Sequence, residues 1–408
     1  MKNNIPEIRF PGFNEDWEQR MLGDIFSILD GDRGKNYPGE SDFNENGATL
    51  FLDTGNVKKN GFDFSTKKYI TKEKDESLRN GKLELYDFVL TSRGTLGNVA
   101  YYDEKTKSNY PSVRINSAML ILRPAISNQV SDSYMAAVLR GNIIKTFMST
   151  NHVGSAQPHI TKRDFSKVNI GIPSTLEEQN KIGLFFKHLD DTINLHQQEL
   201  TTLKQTKQGF LQKMFPKEGQ TVPEVRFPGF TAEWKESTLG EIVTITMGQS
   251  PSGKNYTNNP KDYILVQGNA DIKNRRVVPR VWTTQVTKLA QEGDIILSVR
   301  APVGDVGKTQ YDVVLGRGVA GIKGNEFIYQ ALSKMKSDSY WNKYSTGSTF
   351  ESINSTDIKE ANIKIPEIEE QNKIGEFFKQ LDETIELHEK ELEVLKETKK
   401  AFLQKMFV

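Results

Sequence analysis

The sequence contains no cysteine, which excludes disulfide staples, thiolate nucleophiles and Cys-ligated metal centres. It has no apolar run of membrane-spanning length, and its start, MKNNIPEIRFPGF, has no apolar stretch of signal-peptide length. A strong charge of either sign is also missing. The 54 Lys and Arg stand against 53 Asp and Glu, a formal net charge of +1, which argues against indiscriminate coating of nucleic acid. His152, His159, His196 and His388 show no metal-ligand spacing, so no metal site is expected. These absences lead to the expectation of a soluble, cytoplasmic protein without a membrane partner. At 408 residues the chain has room for two or three domains. Residues 1–172 carry a formal charge of +2 and 223–364 carry +3, whereas 173–222 are neutral and 365–408 carry −4.

The chain is written twice. IPEIRFPGFNEDWEQRMLGDI at 5–25 returns as VPEVRFPGFTAEWKESTLGEI at 222–242. EEQNKIG at 177–183 returns unchanged at 369–375, and FLQKMF at 210–215 returns at 402–407. Two copies make a duplication and not a solenoid. Between these anchors the copies diverge but stay alignable: Asp87–Arg93 corresponds to Asp294–Arg300, Gly154-Ser155 to Gly347-Ser348, and Ile160 to Ile353. Short β-branched runs broken by Gly, Asn and Asp predict strand-rich regions, with helical patches at 132–149 and 326–344.

Three near-motifs fail on inspection. GQSPSGKN at 248–255 approaches a phosphate-binding loop, but Asn255 stands where the Mg²⁺-binding hydroxyl belongs. Its twin, Gly34-Lys35-Asn36-Tyr37, has Leu29 at the position of the first glycine. GDVGKT at 304–309 has Pro302 there. FLDTG at 51–55 resembles an aspartic-protease signature, yet Val266 lies opposite Asp53, so no carboxylate dyad can form. Shared Gly-Lys-Asn-Tyr without the phosphate loop predicts a turn presenting a lysine, an amide and an aromatic ring. Such groups meet phosphates and bases; an exposed turn of no consequence is the alternative.

Each half ends in a predicted long helix, 176–215 and 368–407. Ile182, Phe186, Leu189, Ile193, His196, Leu200, Leu203, Lys207, Phe210 and Met214 alternate at steps of four and three, a heptad seam. Ile374, Phe378, Leu381, Ile385, His388, Leu392, Leu395, Lys399, Phe402 and Met406 repeat it residue for residue. A surface kept by both helices is most simply the surface on which they meet, with His196 and His388 specifying register. Antiparallel packing is expected because it relates the halves by a pseudo-two-fold axis. A parallel pair would set the two domains side by side.

Two divergent, mildly basic domains joined by near-identical helices resemble the specificity subunits of type I restriction–modification systems. The resemblance covers essentially the whole chain. It rests on the I-P-x(2–3)-E-E-Q-N-K-I-G helix entries at 172–183 and 365–375, on KQTKQGFLQKMF and KETKKAFLQKMF, and on the F-P-G-F…W…L-G-[DE]-I openings. The family's Gly-x-Ser-Pro turn is present as Gly248, Ser250 and Pro251, but the first half departs from it with Gly31-Asp-Arg-Gly34.

The resemblance implies an α+β, internally duplicated architecture. Two strand-rich globular target recognition domains, 1–172 and 223–364, are separated by two long helices packed as an antiparallel coiled coil. The conserved spacer helices fall in 173–215 and 365–408, with a linker at 216–222. It further implies sequence-specific recognition of an asymmetric bipartite double-stranded DNA target. Two modification (methyltransferase) subunits and up to two restriction subunits would be the partners. By the same resemblance S-adenosylmethionine, ATP and Mg²⁺ would belong to those partners; consistently, the chain lacks an Asn-Pro-Pro-Tyr motif and an intact Walker loop. This chain itself is expected to be non-catalytic.

Candidate DNA contacts in the first domain are Lys35, Asn36, Tyr37, Arg93, Arg114, Ser155, Gln157 and His159. Those in the second are Ser250, Lys254, Asn255, Tyr256, Arg300, Arg317, Ser348 and Thr349. For Arg93 and Arg300 a structural salt bridge is the alternative. A non-catalytic coiled-coil adaptor without DNA specificity would explain the helices but not the divergence of the domains. A nucleotide-dependent enzyme lacks its motifs.

Overall fold

The computed structural model describes residues 4–125, 130–150, 159–344 and 352–408. The chain divides into two units, Met1–His196 with Leu392–Val408, and Gln197–Glu391. No helix among the described residues is long and apolar enough to cross a membrane.

In the first unit, a four-stranded sheet runs in the order Phe26–Asp30, Met119–Pro124, Phe88–Thr91, Val99–Tyr101. Its central strands read as unbroken apolar runs because both faces are covered. Phe88, Leu90, Leu120 and Leu122 face one core, and Val89, Met119 and Ile121 face the other. Strand residues alternate between faces, so one strand serves both layers. The second core is closed by a three-stranded sheet in which Thr49–Leu52 lies between Tyr69–Ile70 and Val113–Ile115, parallel to the latter.

The second unit repeats the plan. Ile295 and Leu297 enter one core and Ile296 the other, and Tyr263–Val266 runs parallel to Val313–Leu315. The predicted helical patches are each broken in two. Asp132–Arg140 gives way to Ile143–Thr150, and Glu326–Ser337 to a 3-10 turn at Tyr340–Tyr344.

The long helices span Leu176–Lys213 and Ile368–Lys405. Within the first unit the start of one meets the end of the other: Phe185 packs edge-on against Phe402 at 5.0 Å, and Asp190 pairs with Lys399. Within the second unit the opposite ends meet, Phe210 against Phe377 at 5.1 Å and Lys207 on Asp382 at 2.7 Å. The pairing is antiparallel, as the sequence led us to expect. All the seam positions are buried or half-buried, and His388 sits 3.9 Å from the Glu199 carboxylate.

The repeated motifs turn out to be locks between helix and domain. Arg9 grips Glu178 with two hydrogen bonds, 2.6 and 2.8 Å, and Arg226 grips Glu370 with two, 2.6 and 2.7 Å. All four side chains are largely or fully buried. The neighbouring Gln179 accepts from the backbone N–H of Ser131, which caps the helix Asp132–Arg140. Gln371 accepts from the side-chain amide of Asn325, the cap of Glu326–Ser337. Arg-Phe-Pro-Gly-Phe and Glu-Glu-Gln-Asn therefore recur together because they are the two halves of one contact.

Candidate nucleic-acid interface

The second unit gathers its candidate residues at one edge. Gly248 ends the strand Thr244–Met247, and a Cβ there would lie 2.0 Å from the Gly316 carbonyl oxygen. Only glycine allows this approach. It brings Ser250 beneath the next loop, where its Oγ accepts from the backbone N–H of Arg317 at 3.1 Å. Gly253–Asn255 is a single 3-10 turn leading into a strand, not a loop opening onto a helix as a phosphate site requires. Asn255 donates to Gln285 at 2.7 Å, which steadies the turn and leaves Lys254 exposed.

Ser250, Tyr256, Arg300 and Arg317 line one concavity of about 360 Å³, together with Pro251, Gln267 and Gly318. Arg300 and Arg317 are exposed, and no carboxylate among the described residues pairs with either. The salt-bridge alternative for Arg300 therefore finds no partner there. Sequence reasoning missed Gln267. Its only sequence signal is its place at the end of a strand, just before the Gly268-Asn269 turn.

The first unit presents a different set. Lys35 is exposed, while Asn36 donates to the Ser77 carbonyl at 3.1 Å. Tyr37 packs edge-on against Phe51, and its hydroxyl accepts from the backbone N–H of Ser117 at 3.4 Å. Arg93 is exposed without a carboxylate partner among the described residues. Ile160 donates its N–H to the Ser92 carbonyl at 2.9 Å, and His159 beside it is exposed. Ser155, Gln157, Ser348 and Thr349 lie outside the described residues.

One expectation is corrected. Arg114 is buried, with 5 % of its surface exposed. Its guanidinium pairs with Asp75 and donates to the carbonyls of Asn80, Asp75 and Leu78. With its donors spent inside the domain, it cannot be a DNA contact; it ties Val113–Ile115 to the segment 75–80.

The description "Type I restriction modification DNA specificity domain" belongs to a family model that matches residues 14–205 and again 231–397. The chain belongs to that family. A Methanocaldococcus jannaschii protein named as the MjaX type I restriction enzyme specificity subunit is 27% identical over 421 residues, spanning 98% of this chain and 95% of its own length. The MjaVIII specificity subunit of the same organism is 21% identical, over 98% and 94%. Among solved structures, the S subunit from M. genitalium superposes with a TM-score of 0.66 at 15% identity, covering 99% of each chain. A chain from work on complex assembly and conformational transition of the type I R-M system gives 0.57 at 21% identity, covering 98% and 99%. These structural likenesses speak for the fold. A specificity domain matched twice along one chain accounts for the duplicated scaffold.

Proposed function

We propose that this specificity subunit reads an asymmetric bipartite DNA duplex, one half-site per recognition domain, and directs adenine methylation and restriction carried out by its partners. The observation that carries this is the contrast between scaffold and display. The Arg–Glu and Lys–Asp locks are the same in both units, whereas groups at the loop ends differ: half-buried Gln267 follows its strand where the first unit has Asp53, exposed Arg317 stands where the first unit has Ser117, and exposed His159 where the second has Ser352. Two different displays on one scaffold suit two different half-sites. Exposed Arg and Lys supply phosphate attraction and guanine recognition, and amides supply adenine recognition.

The partners are two modification subunits and up to two restriction subunits, which hold S-adenosylmethionine, ATP and Mg²⁺. Leu195 and Leu387 support docking of paired partner copies. They occupy equivalent places on the two helices, and each is 55% exposed. A coiled-coil adaptor without DNA specificity leaves the divergent displays unexplained. The cytoplasm, where DNA and these partners reside, is the proposed location. The purified chain should turn over neither S-adenosylmethionine nor ATP, and adding a cognate modification subunit should give adenine methylation at one discrete bipartite sequence. Turnover by the chain alone, or methylation with no sequence preference, would overturn this reading.

A further inference from the structure

Gln267 stands at the end of Tyr263–Val266 in a setting that immobilises it from three sides. Its backbone N–H donates to the Asp271 carboxylate at 2.7 Å, and Asp271, 3% exposed, is itself paired with Arg280 at 2.8 Å. The loop carrying Arg317 lies directly on the Gln267 backbone, since a Cβ on Gly318 would fall 2.1 Å from the Gln267 carbonyl oxygen. The side-chain amide is held by the Tyr256 hydroxyl, which accepts from Nε2 at 2.9 Å. No other described residue takes a hydrogen bond from this amide. Whichever way the amide is turned, Tyr256 occupies one of its groups and leaves a donor and an acceptor side by side. Gln267 lines the same concavity as Arg300 and Arg317.

A fixed donor beside a fixed acceptor complements one base edge in the major groove. Adenine offers N7 as acceptor and N6–H as donor; guanine offers two acceptors there, and cytosine a donor alone. We propose that Gln267 is a specificity-determining residue that reads an adenine in the half-site of the second unit, with Tyr256 as the residue that positions its amide. This rests on the DNA-reading function proposed above and adds the base and the side chain. In the first unit Leu52 pairs with Ile115 as Val266 pairs with Leu315, so Asp53 and not an amide follows the strand end, and this adenine reading belongs to one half-site only.

The test uses the full chain with its modification subunit, mapping methylation genome-wide and on a pool of duplexes randomised across both half-sites. Gln267→Ala should lower the preference for adenine at one position of one half-site by roughly tenfold to a hundredfold. Gln267→Glu, which keeps the acceptors and loses the donor, should shift that position toward cytosine. Tyr256→Phe should loosen the same position by a few-fold and no other. The other half-site and the melting temperature report that each variant is folded. The inference fails if the wild-type complex methylates a discrete sequence and all three variants keep its preference at every position. It fails equally if Gln267→Ala weakens all sequences alike, the mark of a phosphate contact. A wild-type complex without any discrete target would instead defeat the proposed function itself.

Discussion

Asp75 serves two cations at once, Arg114 and Lys82. Burial raises its carboxyl pKa, but the hydrogen bonds and charges of Lys82 and Arg114 outweigh burial and hold it below the ordinary carboxylate range. An acid held low in the fold adds stability above its unfolded pKa and loses it as pH falls through the folded value. The first unit should therefore weaken on acidification below about pH 4, in part through Asp75. Asp75→Asn should cost about 3–5 kcal/mol at neutral pH, because Arg114 is left buried without its counter-charge. The same variant should show a flatter acid limb than wild type when melting temperature is followed against pH. An unchanged neutral-pH stability would mean that other acceptors suffice for Arg114.

The helix locks make a prediction at the scale of elements. Gly183 and Gly375 are equivalent glycines inside long helices, where alanine is normally favoured by about 1 kcal/mol. A Cβ on Gly183 would lie 2.3 Å from the Ser133 Oγ and 2.5 Å from the Tyr134 backbone nitrogen, whereas one on Gly375 would meet Glu326 Cβ at 2.9 Å and the Phe327 nitrogen at 3.1 Å. The closer contact involves backbone that cannot step aside. Gly183→Ala should therefore lose about 1–3 kcal/mol through overpacking, and Gly375→Ala should lose less, because its contacts are looser and the propensity gain opposes them. Denaturant melts of the two variants decide the matter; equal losses, or a greater loss at Gly375, would contradict this account of the helix–domain contact.

At the scale of the whole molecule, duplication makes the two readers separable. Replacing residues 1–172 by the equivalent domain of a relative should change one half-site and leave the one read by 223–364. Adding four residues after Gln198 and four after Lys390, equivalent places on the two helices, lengthens each by roughly 6 Å. Four residues also make one step of the three-and-four seam spacing. At about 3.4 Å per base pair, the unread gap should grow by one or two pairs, as methylome sequencing would show. Efficient methylation at the original spacing, or a domain exchange that alters both half-sites together, would tell against this division of labour.

The duplication, the two helices and their seam were legible in the sequence because each is a local or repeated pattern. A seam of alternating three and four steps needs no knowledge of the partner, and identical residues at equivalent places mark a shared scaffold. The missing hydroxyl at Asn255 and the missing carboxylate opposite Asp53 likewise disqualify their near-motifs without coordinates. The sequence also left Arg9 and Glu178 as parts of separate motifs, since nothing local links positions 169 residues apart. The duplication led us to expect an antiparallel seam, but either direction buries the same apolar stripe, so the direction was decided only by tertiary contacts such as Phe185 on Phe402. Tertiary structure alone separated buried Arg114 from exposed Arg93 and Arg300. A guanidinium is the same chemical group in each, and its role is decided by whether a distant segment, here the one carrying Asp75, folds back to take its donors.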